Sequence, residues 1–220
     1  MIKHVIFDMD GTLIDTEPLF EKAWVDIGEK WGLAGMKEMY PLIVGRSIES
    51  ICVMLKKKFG EDFDAVGFFA ERMQYFVSLI EKEVPLKKGC MELLEFLKLQ
   101  NIPMAIATST PAYIADSNMK KTGIGKYMDA GVTAEAVENG KPEPDIFLEA
   151  ARRIGADPLY TAVCEDSING IRGAYRAKMK PIMVVDRLSP TDETDSMCFA
   201  TCNDLFEVME LIKKENKNLI

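Results

Sequence analysis

Residues 5–12 read Val5-Ile6-Phe7-Asp8-Met9-Asp10-Gly11-Thr12. A short apolar run of β type stops abruptly at an acidic, glycine-containing segment, the pattern of a buried strand entering a loop. Two carboxylates two positions apart on extended chain point to opposite sides, but a turn at Gly11 lets Asp8 and Asp10 face one site above a sheet. A calcium loop fails on its own template. With Asp8 as first ligand, Leu13 stands where the sharp-turn glycine belongs and Leu19 where the bidentate glutamate belongs.

Working outward, similar runs recur at Met104–Ala107, more weakly at Gly131-Val132, then at Thr161–Cys164 and Ile182–Val185. Helical patterns separate them at Met91–Leu99, Tyr113–Met119, Pro144–Ile154 and Gly170–Ala177, with a last helix near Leu205–Ile212. Strands alternating with helices of this length predict an α/β fold with a doubly wound, Rossmann-like parallel sheet, whose ligands bind beyond the carboxyl ends of the strands. Residues 17–83 differ, because they contain no convincing strand. Three apolar stripes at helical spacing run through Leu19, Phe20, Ala23, Trp24, Ile27 and Trp31; through Ile51, Cys52, Leu55 and Phe59; and through Phe69, Met73, Phe76, Val77 and Ile80. The expected organisation is a core domain of residues 1–15 and 85–220 interrupted by a helical-bundle domain at 16–84, with Leu13–Thr16 and Val84–Lys88 as hinges.

Composition narrows the function classes. The chain has 220 residues, 48% of them hydrophobic and 28% charged, which is enough apolar side chain for a core and too much for a disordered tail. Acidic residues outnumber basic ones by 35 to 27, for a net charge of −8, so the electrostatic footprint of a nucleic-acid or anionic-membrane binder is missing. No stretch of 18 apolar residues exists, and the first ten residues put aspartates inside what would be a signal peptide's apolar region. Five cysteines, odd in number and mostly far apart, fit reduced thiols in a cytoplasmic protein. The isolated Cys198/Cys202 pair has no histidine near it and does not suit zinc. His4 is the single histidine, reads as a strand-edge residue, and gives little basis for a histidine-base mechanism.

Three further stations fall where predicted strands end. Thr108-Ser109-Thr110 precedes a helix opened by Pro111, where hydroxyls and N–H groups favour phosphate, although an ordinary N-cap reads the same way. Gly140-Lys141-Pro142-Glu143-Pro144-Asp145 stiffens a lysine between prolines. Glu165-Asp166-Ser167 ends a buried strand in two adjacent acids, which repel each other unless a cation sits among them. Carboxylates and a lysine around a hydroxyl-lined anion pocket suit Mg²⁺-assisted phosphoryl transfer.

These residues resemble the haloacid dehalogenase superfamily, in the branch with a helical cap inserted after the first motif. DMDGT at 8–12, Thr108, Lys141 and Glu165-Asp166 match its four motifs in order, and the likeness extends through EPDIFLEAA at 143–151 and EDSINGIRGA at 165–174. The chain closely resembles the subgroup containing β-phosphoglucomutase and the sugar-phosphate phosphatases. The resemblance implies that Asp8 is the nucleophile and Asp10 the acid and base. It implies phosphate or substrate contacts from Gly11, Thr108, Ser109 and Lys141, and cap contacts from Arg46 and Arg72. Mg²⁺ would be held by Asp8, the Asp10 carbonyl and Asp166, with Glu165 acting through water. The expected activity is a monomeric phosphatase for a small phosphorylated metabolite, with a sugar phosphomutase as alternative and a silent binding protein as a third. Mutases of the subgroup keep a histidine, an arginine and a lysine where this chain has Phe20, Ile48 and Pro111, and Thr12 also leans towards the phosphatases.

Overall fold

The computed structural model describes residues 1–44 and 46–217. Six strands, β1 (His4–Phe7), β2 (Met104–Thr108), β3 (Ala130–Thr133), β4 (Thr161–Glu165), β5 (Lys180–Val184) and β6 (Ala200–Cys202), form one parallel sheet in the order β3-β2-β1-β4-β5-β6. Helices cover both faces of such a sheet, so its strands are apolar throughout rather than alternating. Accordingly Val5, Ile6, Phe7 and Met104–Ala107 are all but inaccessible to solvent. The order reverses at β1, whose partners are β2 on one side and β4 on the other, and ligands of doubly wound sheets bind at such a reversal.

Ten helices are described: α1 (Glu17–Lys30), α2 (Met36–Ile43), α3 (Ile48–Phe59), α4 (Ala65–Lys82), α5 (Cys90–Leu99), α6 (Ala112–Thr122), α7 (Asp145–Arg153), α8 (Ile168–Arg176), α9 (Asp192–Met197) and α10 (Leu205–Lys217). The chain divides into two compact units, Met1–Asp15 with the chain from Pro85 onward, and Thr16–Val84. In the α/β unit, α7 packs Ile146, Phe147, Ala150 and Ala151 onto Ile6, Ala105, Val132 and Val163 of the sheet. The two segments at its boundary are paired: Ile14 and Leu86 form an antiparallel bridge, flanked by hydrogen bonds from Asp15 N to Pro85 O and from Lys87 N to Leu13 O.

The helical unit surrounds Trp24, whose ring meets Phe68 edge-on at 5.3 Å and whose indole N–H donates to Met36 O at 2.8 Å. Four helices stand here where the apolar stripes predict three. The additional one, α2, buries Met36, Met39, Tyr40 and Ile43, a spacing too short to read as a stripe. The third stripe is also corrected. Helix α4 buries Ala65, Phe68, Phe76, Leu79 and Ile80, while Met73 is exposed and Phe69 and Val77 are only half-buried. Phe68 wins over its neighbour because it sits edge-on to both Trp24 and Trp31.

Two elements of the α/β unit are absent from the sequence expectation. Strand β6 is three residues long at the sheet edge, and α9 is a polar turn held by a Thr191/Thr194 capping box rather than by an apolar face. His4 stands at the edge of its strand, as its first residue, and that strand is the central β1. Burial lowers its pKa, and its Nδ1 has no partner among the described residues. All five cysteines are free thiols, and no described helix is long and apolar enough to cross a membrane.

Candidate active site

Asp8 lies one residue past β1, and its N–H donates to Cys164 O at 2.9 Å, carrying the pairing with β4 beyond the strand. The chain then folds back on itself. Gly11 N donates to Ile14 O, Leu13 N and Ile14 N both donate to Met9 O, and the fully buried Leu13 and Ile14 anchor the turn. Gly11 has φ +81°, and a Cβ there would collide with the Asp166 carboxylate, so glycine is required twice over. Its amide is committed to Ile14, so the residue supplies the turn and the close approach rather than a free donor to substrate.

Thr108 ends β2 and is buried, and its Oγ1 accepts from Thr110 N at 3.1 Å. Glu165 ends β4 and Asp166 follows it, while the Ser167 hydroxyl caps α8 by accepting from Gly170 N at 3.0 Å. Ser167 N donates to Glu165 Oε2, and a Cβ at Gly170 would run into the Glu165 carboxylate. Lys141 reaches in from the loop before α7 with a side chain only 6% exposed. Its Nζ pairs with Asp8 Oδ1 and, at 2.7 Å, with Glu165 Oε1, over the Phe147 ring.

Carboxylate oxygens of Asp8, Glu165 and Asp166 lie within 4.8 Å of one another. Burial pushes the Asp8 carboxyl well above its ordinary pKa; Lys141 opposes that rise, and Glu165 and Asp166 add to it. Burial also raises Asp166, to about 7, helped by Glu165 and Asp186. The Lys141 ammonium is drawn down by burial, but Asp8 and Glu165 outweigh this and hold it above its usual range. The cluster therefore has more anionic character than one lysine neutralises. An all-oxygen donor set with excess negative charge, pressed against Gly11, is the chemistry that accepts a hard divalent cation.

The structure thus brings Asp8, Asp10, Gly11, Thr108, Lys141, Glu165 and Asp166 to the carboxyl ends of β1, β2 and β4 or the loops beside them. Ser109 is there too, exposed, in the loop after β2. Arg46 and Arg72 belong to the helical unit, and their settings differ. Exposed Arg46 donates from Nε to Leu42 O at 2.6 Å, at the carboxyl end of α2. Half-buried Arg72 holds its guanidinium 5.5 Å from the centroids of both Phe20 and Phe69, and its Nε has no hydrogen-bond partner among the described residues. Burial lowers its pKa, and no ion pair offsets this among the described residues. Sequence reasoning counted Thr110 only within a phosphate-favouring hydroxyl run and gave Asp186 no role. The Thr110 hydroxyl donates to Asp10 Oδ2 at 2.6 Å. Asp186, one of the charges that raise Asp166, is tied to Lys87 at 2.6 Å. The Thr-Ser-Thr run carried the signal for the first; the second depends on chain segments 99 residues apart.

A haloacid dehalogenase-like hydrolase family model matches residues 2–178. The chain is 35% identical over 187 residues to a phosphorylated carbohydrates phosphatase of Thermotoga maritima, covering 82% of this chain and 84% of that one. It is 32% identical over 182 residues to the fructose-1-phosphate phosphatase of Escherichia coli, covering 82% and 95%. A crystal structure from Thermotoga maritima, provisionally described as a β-phosphoglucomutase, superimposes with a TM-score of 0.84 at 28% identity over 97% of this chain and 99% of that one. The chain belongs to the haloacid dehalogenase-like hydrolases. Within that family it is an enzyme of the phosphatase kind.

Proposed function

We propose that the chain is a Mg²⁺-dependent phosphomonoesterase for small phosphorylated carbohydrates, working through an aspartyl-phosphate on Asp8. The observation that carries this reading is the Lys141 ammonium lying between Asp8 and Glu165, with Asp166 in the same buried cluster. The named activities of the phosphatase relatives support the substrate class. Asp8, Asp166 and the Asp10 main-chain carbonyl would hold the cation, with Glu165 behind them. Bound there, Mg²⁺ supplies Lewis-acid neutralisation of phosphate oxygen charge.

An Asp8 carboxylate oxygen attacks phosphorus, the bond from phosphorus to the ester oxygen breaks, and Asp10 protonates that leaving oxygen. Asp10, now ionised, takes a proton from a water molecule whose oxygen attacks the same phosphorus. The bond to Asp8 breaks and inorganic phosphate departs. Lys141 offsets the repulsion between the Asp8 carboxylate and the incoming phosphate, and the Thr108 and Ser109 hydroxyls donate to phosphate oxygens. Thr108 is suited to this because its oxygen already accepts from Thr110 N, leaving its proton to give. Residues 16–84 act as the cap domain and 1–15 with 85–220 as the catalytic core, with Arg46 and Arg72 as the cap's substrate contacts. On the same reading the enzyme is a monomer of the cytoplasm, in keeping with its free thiols.

A sugar phosphomutase is the second reading, favoured by the fold likeness to a β-phosphoglucomutase-type structure. Phe20 weighs against it. In the position where mutases of the subgroup keep a histidine, this ring lies flat on Phe76 at 3.6 Å and beneath Arg72. Release of inorganic phosphate from a panel of sugar and nucleoside monophosphates, with and without Mg²⁺ and with Asp8→Asn as blank, tests the reading. Mg²⁺-dependent release lost in the variant is expected. Isomerisation of a sugar phosphate primed by its bisphosphate, without net phosphate release, would make the chain a mutase.

A further inference from the structure

We infer that Thr110 is a positioning residue that aims Asp10 at the leaving group, an inference that rests on the reading of Asp10 as acid and base. The backbone of Asp10 is pinned by its bridge to Ile14 and by the turn at Gly11. Its carboxylate still has side-chain torsions to settle, and the Thr110 hydroxyl, donating to Oδ2 at 2.6 Å, restrains them. A hydroxyl both donates and accepts, so this contact can persist while Asp10 gives up and regains a proton over the two half-reactions.

Thr110 is itself held. Its N–H donates to Thr108 Oγ1, and Pro111 after it disfavours helical backbone at position 110. One short loop therefore fixes two things at once, the hydroxyl offered to phosphate and the orientation of the acid. Helix capping does not account for this threonine. Helix α6 begins at Ala112 with Pro111 at its cap, no side chain caps it through Pro111, and Ala112 N donates to Glu135. The Thr110 hydroxyl spends its proton on a residue 100 positions away in sequence.

The test compares Thr110→Val, Thr110→Ser and Asp10→Asn on an alkyl phosphate and on an aryl phosphate with a good leaving group, reading kcat/KM and the inhibition constant of inorganic phosphate. A misaimed acid should lower kcat/KM of Thr110→Val on the alkyl ester by about 10- to 100-fold. The aryl ester, which needs little protonation, should lose no more than about threefold, and phosphate inhibition should stay within about twofold. Serine should restore most of the loss. Thr110 is half-buried, and Thr110→Ala repeats the test if valine disturbs folding. Equal losses on both esters, weaker phosphate inhibition that accounts for the loss, or a serine variant as poor as valine would overturn the inference. Should Asp10→Asn keep wild-type kcat/KM on the alkyl ester, the underlying acid–base reading fails instead. If only that variant is crippled, the reading stands and Thr110 is not its positioning residue.

Discussion

Asp8, Glu165 and Lys141 sit in the α/β unit almost out of reach of water, immediately beyond strands filled with Val5, Ile6, Phe7 and Val163. The helical unit does the reverse. Its interior is Trp24, Phe68, Met36 and Leu55, and its ion pairs, such as Lys22–Asp26 and Lys30–Glu71, stand at the surface. Buried charge is tolerated only with a partner in fixed geometry, so each member of the first constellation requires the others. Apolar packing tolerates changes of shape, so the second unit is specified by volume and pattern more than by individual residues. Arg72 breaks that contrast, being a half-buried cation on two aromatic faces with no ion-pair partner among the described residues.

The largest expected effect lies in the first region. Asp8→Asn should lower kcat by about 10⁴ or more with the fold intact, since a nucleophile is not replaced by binding alone. Steady-state turnover with circular dichroism checks it, and measurable activity near wild type would remove Asp8 from the role. Lys141→Met leaves Asp8 and Glu165 facing each other, and should cost the metal-free protein about 3–5 kcal/mol in denaturant unfolding. Mg²⁺ should recover part of that loss.

Phe68→Ala should cost a similar ~3–5 kcal/mol by opening a cavity under Trp24 and Trp31. The location should differ: amide exchange should rise in 16–84 while strands β1, β2 and β4 stay protected. Exchange rising equally throughout would mean that the two units unfold as one.

Titration separates the regions more gently. An acid raised in the folded state holds its proton there after the unfolded chain has lost it. The metal-free protein should therefore lose stability as pH rises from about 4 towards 7, the window set by Asp166. Mg²⁺ needs the ionised carboxylates, so the rise in Tm that it gives should be larger at pH 8 than at pH 5. A rise independent of pH would place the cation elsewhere. The smallest effect is expected at Arg72. Its replacement by Met should change stability by no more than about 1 kcal/mol, because an unpaired cation is relieved as its ring contacts are lost. KM should nevertheless rise several-fold, and an unchanged KM would return Arg72 to a packing role.

Much of the site is legible before any coordinates. Asp8, Lys141, Glu165 and Asp166 are unusual residues at the ends of apolar strands, where stability alone gives no reason for them. Elements defined by pattern fare worse: α2 and the true face of α4 depend on which ring Trp24 meets, and β6 is too short to announce itself. Thr110 was visible as a residue and silent as a partner, since nothing local links it to Asp10.

The sequence by itself determined the alternation of strand and helix, the helical insertion and the residue types of the chemistry, because burial periodicity and charge at strand ends are local properties. Tertiary structure alone decided that Lys141 stands between Asp8 and Glu165, that Gly11 and Gly170 make room for carboxylates, and that Thr110 holds Asp10. Those are contacts between segments far apart in the chain, and they exist only once the sheet order brings β2 and β4 to either side of β1.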